Sequence, residues 1–273
     1  MKIIILLMLQ LILINAVKAE DDVKQVEDVI QIPEVKPTEE IKPTELTWQE
    51  KYWNASDVWV GLYYMTDAVD RGISGSNSKP AFLTYTNVNY GPFYANVMYL
   101  NRDFGEGINV KGEYDYLLGV KPQFGPITLD LTAYYIDLSP TDAFNYAAVY
   151  VGATYNHNNK TMGTMKYYWT DNILNSGRVQ TAYEFMLFHS LNPQWSLNAN
   201  FGHRDVEKQF GTDHQWFQVG VAYQLSPSVG LDVKYKTSSL RNDAQCYPAG
   251  SCDDNVFFAL RFDQSLRNIL SKK

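Results

Sequence analysis

From Val58 onward the chain alternates apolar and polar residues in twelve stretches. In one of them, Val229, Leu231, Val233 and Tyr235 fall on one side, and Gly230, Asp232, Lys234 and Lys236 on the other. Successive side chains of an extended strand point to opposite faces, so this segment has one greasy face and one charged face. The pattern predicts strands at Val58–Met65, Ala81–Tyr90, Phe93–Asn101, Ile108–Val120, Ile127–Asp137 and Tyr146–Asn156. It continues through Thr161–Thr170, Val179–Leu191, Trp195–Asp205, Gln215–Leu225, Val229–Ser238 and Val256–Asp263. Most of these are about ten residues long, which is what a tilted strand needs to cross a bilayer.

The connections alternate in length. Gly91-Pro92, Phe124-Gly125-Pro126, His157-Asn158-Asn159, Asn192-Pro193 and Ser226-Pro227 are tight turns. Between them lie the longer polar segments Asp67–Lys79, Arg102–Gly107, Ser139–Asn145, Asp171–Gly177, Val206–His214 and Leu240–Asn255. Short turns at one end and long loops at the other predict a membrane barrel. Open strand edges are costly inside lipid, and a closed barrel has none. The expected fold class is therefore all-β, an up-and-down antiparallel transmembrane β-barrel of about 12 strands. An even strand number puts both chain ends on the short-turn, periplasmic side.

Facing follows from the alternation. Ile127, Leu129, Leu131 and Tyr135 are expected to face lipid, with Thr128, Asp130, Thr132 and Tyr134 inside. Trp195, Leu197, Ala199 and Phe201 face out, opposite Ser196, Asn198, Asn200 and Arg204. Phe217, Val219, Val221 and Tyr223 face out opposite Gln218 and Gln224, and Val256, Phe258, Leu260 and Phe262 opposite Arg261 and Asp263. A Lys or Arg on the lipid face at mid-membrane costs about 2–4 kcal/mol, which gives the pattern its force. The first three strands alternate poorly and do not determine their own facing.

Ahead of the strands stand two segments of different character. Met1-Lys2, an apolar run over Ile3–Ile14 and the small residues Val17 and Ala19 predict a secretory signal peptide over residues 1–19. The run is short for a spanning helix, and an uncleaved anchor is the alternative. Residues 20–51 are rich in Glu, Lys, Val, Pro and Thr and carry a tandem hexapeptide, Glu34–Glu39 and Glu40–Glu45. This composition suits a disordered, acidic, Pro-rich periplasmic spacer, and a partner-binding arm is its functional alternative. The barrel is expected over 52–263, with a C-terminal tail over 264–273.

Composition adds detail. Aromatics reach 14%, with 20 Tyr, as barrels collect Tyr and Trp in two interfacial girdles. A net charge of −7 without a basic patch gives no sign of nucleic-acid binding. The lumen is expected to gather Lys111, Lys166, Arg204, Lys234, Lys236 and Arg261 against Glu113, Asp115, Asp130, Glu184, Asp232 and Asp263. Either these line a narrow water-filled channel, or they plug it with internal salt bridges. Barrels of eight strands are filled and those of sixteen are wide, and this one lies between. Cys246 and Cys252 flank a Pro- and Gly-containing turn, which predicts a loop disulfide in an oxidising compartment. The rival reading, a metal pair, lacks a nearby histidine.

Enzyme chemistry is weakly represented. No His-x-Ser pair occurs on one strand face, and Asp213-His214 is a lone acid–base candidate in an outer loop. No catalytic residue, cofactor or metal is expected. Expected partners are outer-membrane lipid, the barrel-insertion machinery and small hydrophilic solutes, not nucleic acid; the oligomeric state is left open. A closed barrel acting structurally or through its outer loops, and a secreted soluble β protein, are the competing classes.

Some motifs resemble a known group. Asp70-Arg71-Gly72-Ile73-Ser74 followed by Lys79-Pro80-Ala81, then Tyr90–Ala95, Glu113-Tyr114-Asp115-Tyr116 with Gly119, and Ala133-Tyr134-Tyr135, resemble the TorF-type porins. That group is also catalogued as the Gcw_chp family of proteobacterial proteins. The likeness runs over most of Val58–Phe262 and implies an outer-membrane barrel with a porin role, without a defined substrate or catalytic residues. The family closes on a C-terminal aromatic, whereas here Phe262 is followed by Asp263–Lys273.

Overall fold

The computed structural model describes residues 56–207, 213–241, 246 and 249–267. The signal peptide and spacer expected over 1–51, and residues 268–273 of the expected tail, lie outside the described residues.

Twelve long strands form one closed antiparallel sheet. They are β1 (Asp57–Met65), β2 (Ala81–Tyr90), β3 (Phe93–Asn101), β4 (Gly112–Val120), β5 (Ile127–Ser139) and β6 (Tyr146–Asn156). The circuit continues through β7 (Thr161–Thr170), β8 (Gln180–Ser190), β9 (Trp195–Val206), β10 (His214–Ser226), β11 (Val229–Ser238) and β12 (Asn255–Ser265). Each pairs with its sequence neighbours, and β12 returns to β1 with Trp59 opposite Ser265 and Met65 opposite Ala259. Closure gives every edge a partner, which is what the up-and-down pattern requires. Gln123–Phe124 adds a two-residue ladder to the β4–β5 turn, and the β10–β11 register slips by a residue between Gln224 and Ser226.

The two faces follow the alternation in the sequence. On β5, Ile127, Leu129, Leu131 and Tyr135 are exposed outward while Asp130, Thr132 and Tyr134 turn in. The same parity holds on β9, β10 and β12. Cross-strand pairing also settles the first three strands. Tyr63 and Tyr85 face inward, both donating to Oδ1 of Asp263, whereas Leu62, Tyr64, Phe82 and Val88 face outward. Every Lys, Arg and Glu on the twelve strands lies on the inner face. The outward carboxylates, Asp137 and Asp205, sit where β5 and β9 meet the long loops.

The outer wall is banded. Tyr90, Phe93, Phe124, Tyr155 and Trp195 ring the short-turn end, and Tyr64, Phe82, Tyr114, Tyr135, Tyr167, Trp169 and Tyr183 ring the long-loop end. Between the rings the surface is mostly aliphatic, with Leu62, Val97, Leu118, Leu131, Val151, Val233 and Leu260 exposed beside Phe185, Phe201 and Phe258.

Two segments depart from the sequence reading. The fourth strand begins at Gly112, so Ile108–Lys111 is irregular. Gly105 and Gly107 just upstream take positive φ values of 84° and 87°, and Val110 is buried against Ile136 and Leu138 instead of continuing the ladder. The second departure is larger. Asp67–Lys79, read as an outer loop, turns into the barrel.

Candidate functional site

The inward turn is a miniature hairpin. Val69–Asp70 pairs with Ile73–Ser74, and the two residues at its tip, Arg71 and Gly72, have φ of 46° and 79°. Positive φ at both central residues is the requirement of a two-residue type I′ turn. Glycine meets it without strain, and here glycine also satisfies space: a Cβ on Gly72 would lie 2.6 Å from Cβ of Trp216. The turn therefore packs directly on the inner face of β10.

Several long-range contacts hold the hairpin in place. Nε2 of His214 donates to the Arg71 carbonyl at 3.0 Å, and Ser74 N donates to the Ser251 carbonyl at 2.8 Å. Asp67 is buried and accepts from the hydroxyls of Ser74 and Ser76. Ile73 packs on Leu240, Cys246 and Cys252, and the two cysteines form a disulfide as the sequence predicts. His214, the acid–base candidate, is thus buried as a support for the hairpin, and Asp213 accepts from the Val206 amide at 2.9 Å.

Inside the barrel the hairpin carries Asp70 and Arg71. Its guanidinium lies 4.4 Å from the Tyr168 ring centroid, and Nη1 is 3.4 Å from Asp70. Tyr168 donates to Glu184 at 2.9 Å, and Glu184 also accepts from Asn200, which in turn accepts from the Trp216 indole at 2.8 Å. Beside the hairpin, Nε and Nη2 of Arg102 both donate to Glu113 at 2.8 Å. Two further lysines sit on tyrosines. Lys166 is 4.6 Å from the Tyr150 centroid, and Lys121, near the short-turn end, is 4.1 Å from Tyr94. Cations held over aromatic faces gain from the ring quadrupole while keeping their charge toward the cavity.

Several of the residues proposed for the pore fall into three groups. Glu113, Asp115 and Lys166 line one cavity of about 370 Å³ together with Asp70, Arg71 and Arg102. Asp232 pairs with Arg261 at 2.7 Å, and Arg261 reaches Asp263 at 3.4 Å, forming a second cluster. Asp130 forms its own knot with Tyr94, Tyr150 and Thr132. Glu184, Arg204 and Lys234 also turn inward. Lys236 turns inward too, but it is 0% exposed: its ammonium donates to the Ser251 carbonyl at 2.6 Å beneath the hairpin. Lys111 is exposed at the rim, ahead of β4. Asp70, Arg71, Arg102 and Lys121 are absent from the sequence-derived set because they sit in connections. The rim is tied by Lys79 to Asp103 at 2.6 Å; that hydrogen bond, then one from the Gly105 amide, holds the Asp103 carboxyl below its usual range.

The sequence matches no protein-family model and no curated protein. Solved structures do match. The KdgM porin is 6% identical, with a TM-score of 0.54 over 76% of this chain and 99% of its own. The KdgM porin in complex with disordered oligogalacturonate gives a TM-score of 0.53 with the same identity and coverage. At such identity the likeness is one of fold, and the fold of this chain is a closed, twelve-stranded antiparallel β-barrel.

Proposed function

We propose that the protein is an outer-membrane barrel that passes small hydrophilic solutes or ions through a charged lumen narrowed by the Val69–Ser74 hairpin. One observation carries this reading: the outer wall carries charge only at Asp137 and Asp205 beside the long loops and is banded by two aromatic rings, while every Lys, Arg and Glu of the strands faces inward. Water-soluble β proteins have the opposite polarity, with a dry apolar centre. Strands of 9 to 13 residues, tilted, span the roughly 30 Å hydrocarbon layer. Outer-membrane lipid then covers the aliphatic belt, the barrel-insertion machinery delivers the chain, and both ends of the barrel segment lie on the periplasmic side. The TorF-type resemblance belongs with this reading, as does a role in transport rather than catalysis.

The inward hairpin is the constriction. It brings Arg71 to the Tyr168 wall and leaves a cavity of about 370 Å³ beside it. The competing reading, a barrel closed by its own ion pairs, is supported by Arg102–Glu113 and Asp232–Arg261. Planar bilayers decide between them. Folded protein should give reproducible conductance steps whose ion selectivity shifts toward cations in Arg71→Glu. Silent bilayers with folded protein would remove the channel and keep the barrel.

A further inference from the structure

The cavity beneath the hairpin has a charge arrangement that names a class of solute; this inference rests on the channel reading. The Arg102 guanidinium is committed, because two of its nitrogens hold both oxygens of Glu113 at 2.8 Å. Asp115 lies two residues further along β4 on the same inner face, and its Oδ1 is buried without a hydrogen-bond partner. This corner therefore has two carboxyl groups beside one committed cation. On the β6–β7 side, Lys166 rests 4.6 Å over Tyr150, and its ammonium forms no ion pair and donates no hydrogen bond among the described residues. Arg71 lies beside it over Tyr168, and those two rings are 5.3 Å apart. With Arg71 paired to Asp70 and Arg102 to Glu113, one cavity is left with an unpartnered Asp115 oxygen at one wall and the unpaired Lys166 ammonium at another.

We propose that this cavity is a binding site for a small zwitterion, a solute with one carboxylate and one ammonium, such as a dipeptide. The carboxylate pairs with Lys166, and the ammonium pairs with Asp115. A simple anion would satisfy the lysine but leave Asp115 without a partner. A simple cation would meet Asp115 but leave Lys166 unpaired. A solute with both charges satisfies both walls, and charge-assisted pairs of this kind are the strong ones in a confined polar site. A cavity of about 370 Å³ falls in the range of small-molecule sites.

The test titrates the full chain, folded in detergent micelles, with alanylalanine by calorimetry. Its N-acetyl and C-amide forms serve as anion-only and cation-only controls. Alanylalanine should bind at least about tenfold more tightly than either control, the ratio expected for one charged hydrogen bond lost. Asp115→Asn should erase the preference over the N-acetyl form, and Lys166→Met the preference over the C-amide form. Heat-modifiable migration on gels verifies that each variant is folded. Absence of binding, equal binding of the capped forms, or an unaltered preference in both variants would overturn the site. Because the titration needs no current, silent bilayers with an intact zwitterion preference would sink only the channel. Conductance without that preference would sink only the site.

Discussion

At the residue scale, position relative to the wall decides what a side chain costs. Leu131 sits in mid-strand on β5 and points outward between the two aromatic rings. Leu131→Lys should destabilise the folded barrel in vesicles by about 2–4 kcal/mol, read from the midpoint of denaturant refolding. A shift under about 0.5 kcal/mol, the usual limit for a neutral surface change, would mean that this face does not meet hydrocarbon. Glu113 gives the opposite case. Its two oxygens neutralise an Arg102 that is itself nearly buried. Glu113→Gln leaves that guanidinium half-compensated and should cost about 3 kcal/mol. The double variant Arg102→Met, Glu113→Gln should recover part of the loss. If the double variant is no more stable than the single one, the pair contributes little.

The inserted hairpin is the element on which the site depends, and it is held by its neighbours more than by itself. A two-residue ladder has almost no independent stability. Its position comes from Trp216, His214, Ser251 and the disulfide-closed segment that packs on Ile73. Gly72→Val meets both a positive φ and the Trp216 side chain. The hairpin should leave its seat, with larger or noisier single-channel currents while the barrel still migrates as folded. Unchanged currents would show that the hairpin is not the constriction. Reduction of Cys246–Cys252 by a dithiol, which takes two electrons and two protons to give two thiols, should move the currents in the same direction through Ser251. The rim tie adds a pH effect. The Asp103 carboxyl is depressed by Lys79, so its stabilisation is present above the unfolded carboxylate value of about 3.9. It is lost as pH falls through the lower folded value. Acid should therefore loosen the rim in the parent chain, seen as exchange of the Gly105 amide, and Asp103→Asn should show the loosened rate at neutral pH.

At the scale of the whole molecule, a closed ladder makes unfolding cooperative, because no strand can leave without breaking two seams. The protein should run on gels as a compact species without heating and as a slower, unfolded one after boiling. Equal migration under both conditions would argue against a closed barrel. Strands such as Val229–Ser238 were legible in the sequence because burial has a period of two, and a single slip would turn every lysine into the apolar wall. The turns were legible through their Gly, Pro and Asn residues, and the disulfide through its short loop. Asp70-Arg71-Gly72 was not, since a polar turn looks the same whether the water around it is outside the barrel or inside it. The contacts that choose the inside come from 143 residues away, where His214 meets the Arg71 carbonyl, and from 164 away, where Lys236 lies 3.5 Å from the Gly72 carbonyl. Local alternation, repeated down the chain, determined the wall and its two faces. Only closure of the sheet, by bringing β10, β11 and the disulfide loop over the first connection, decided which residues meet in the lumen.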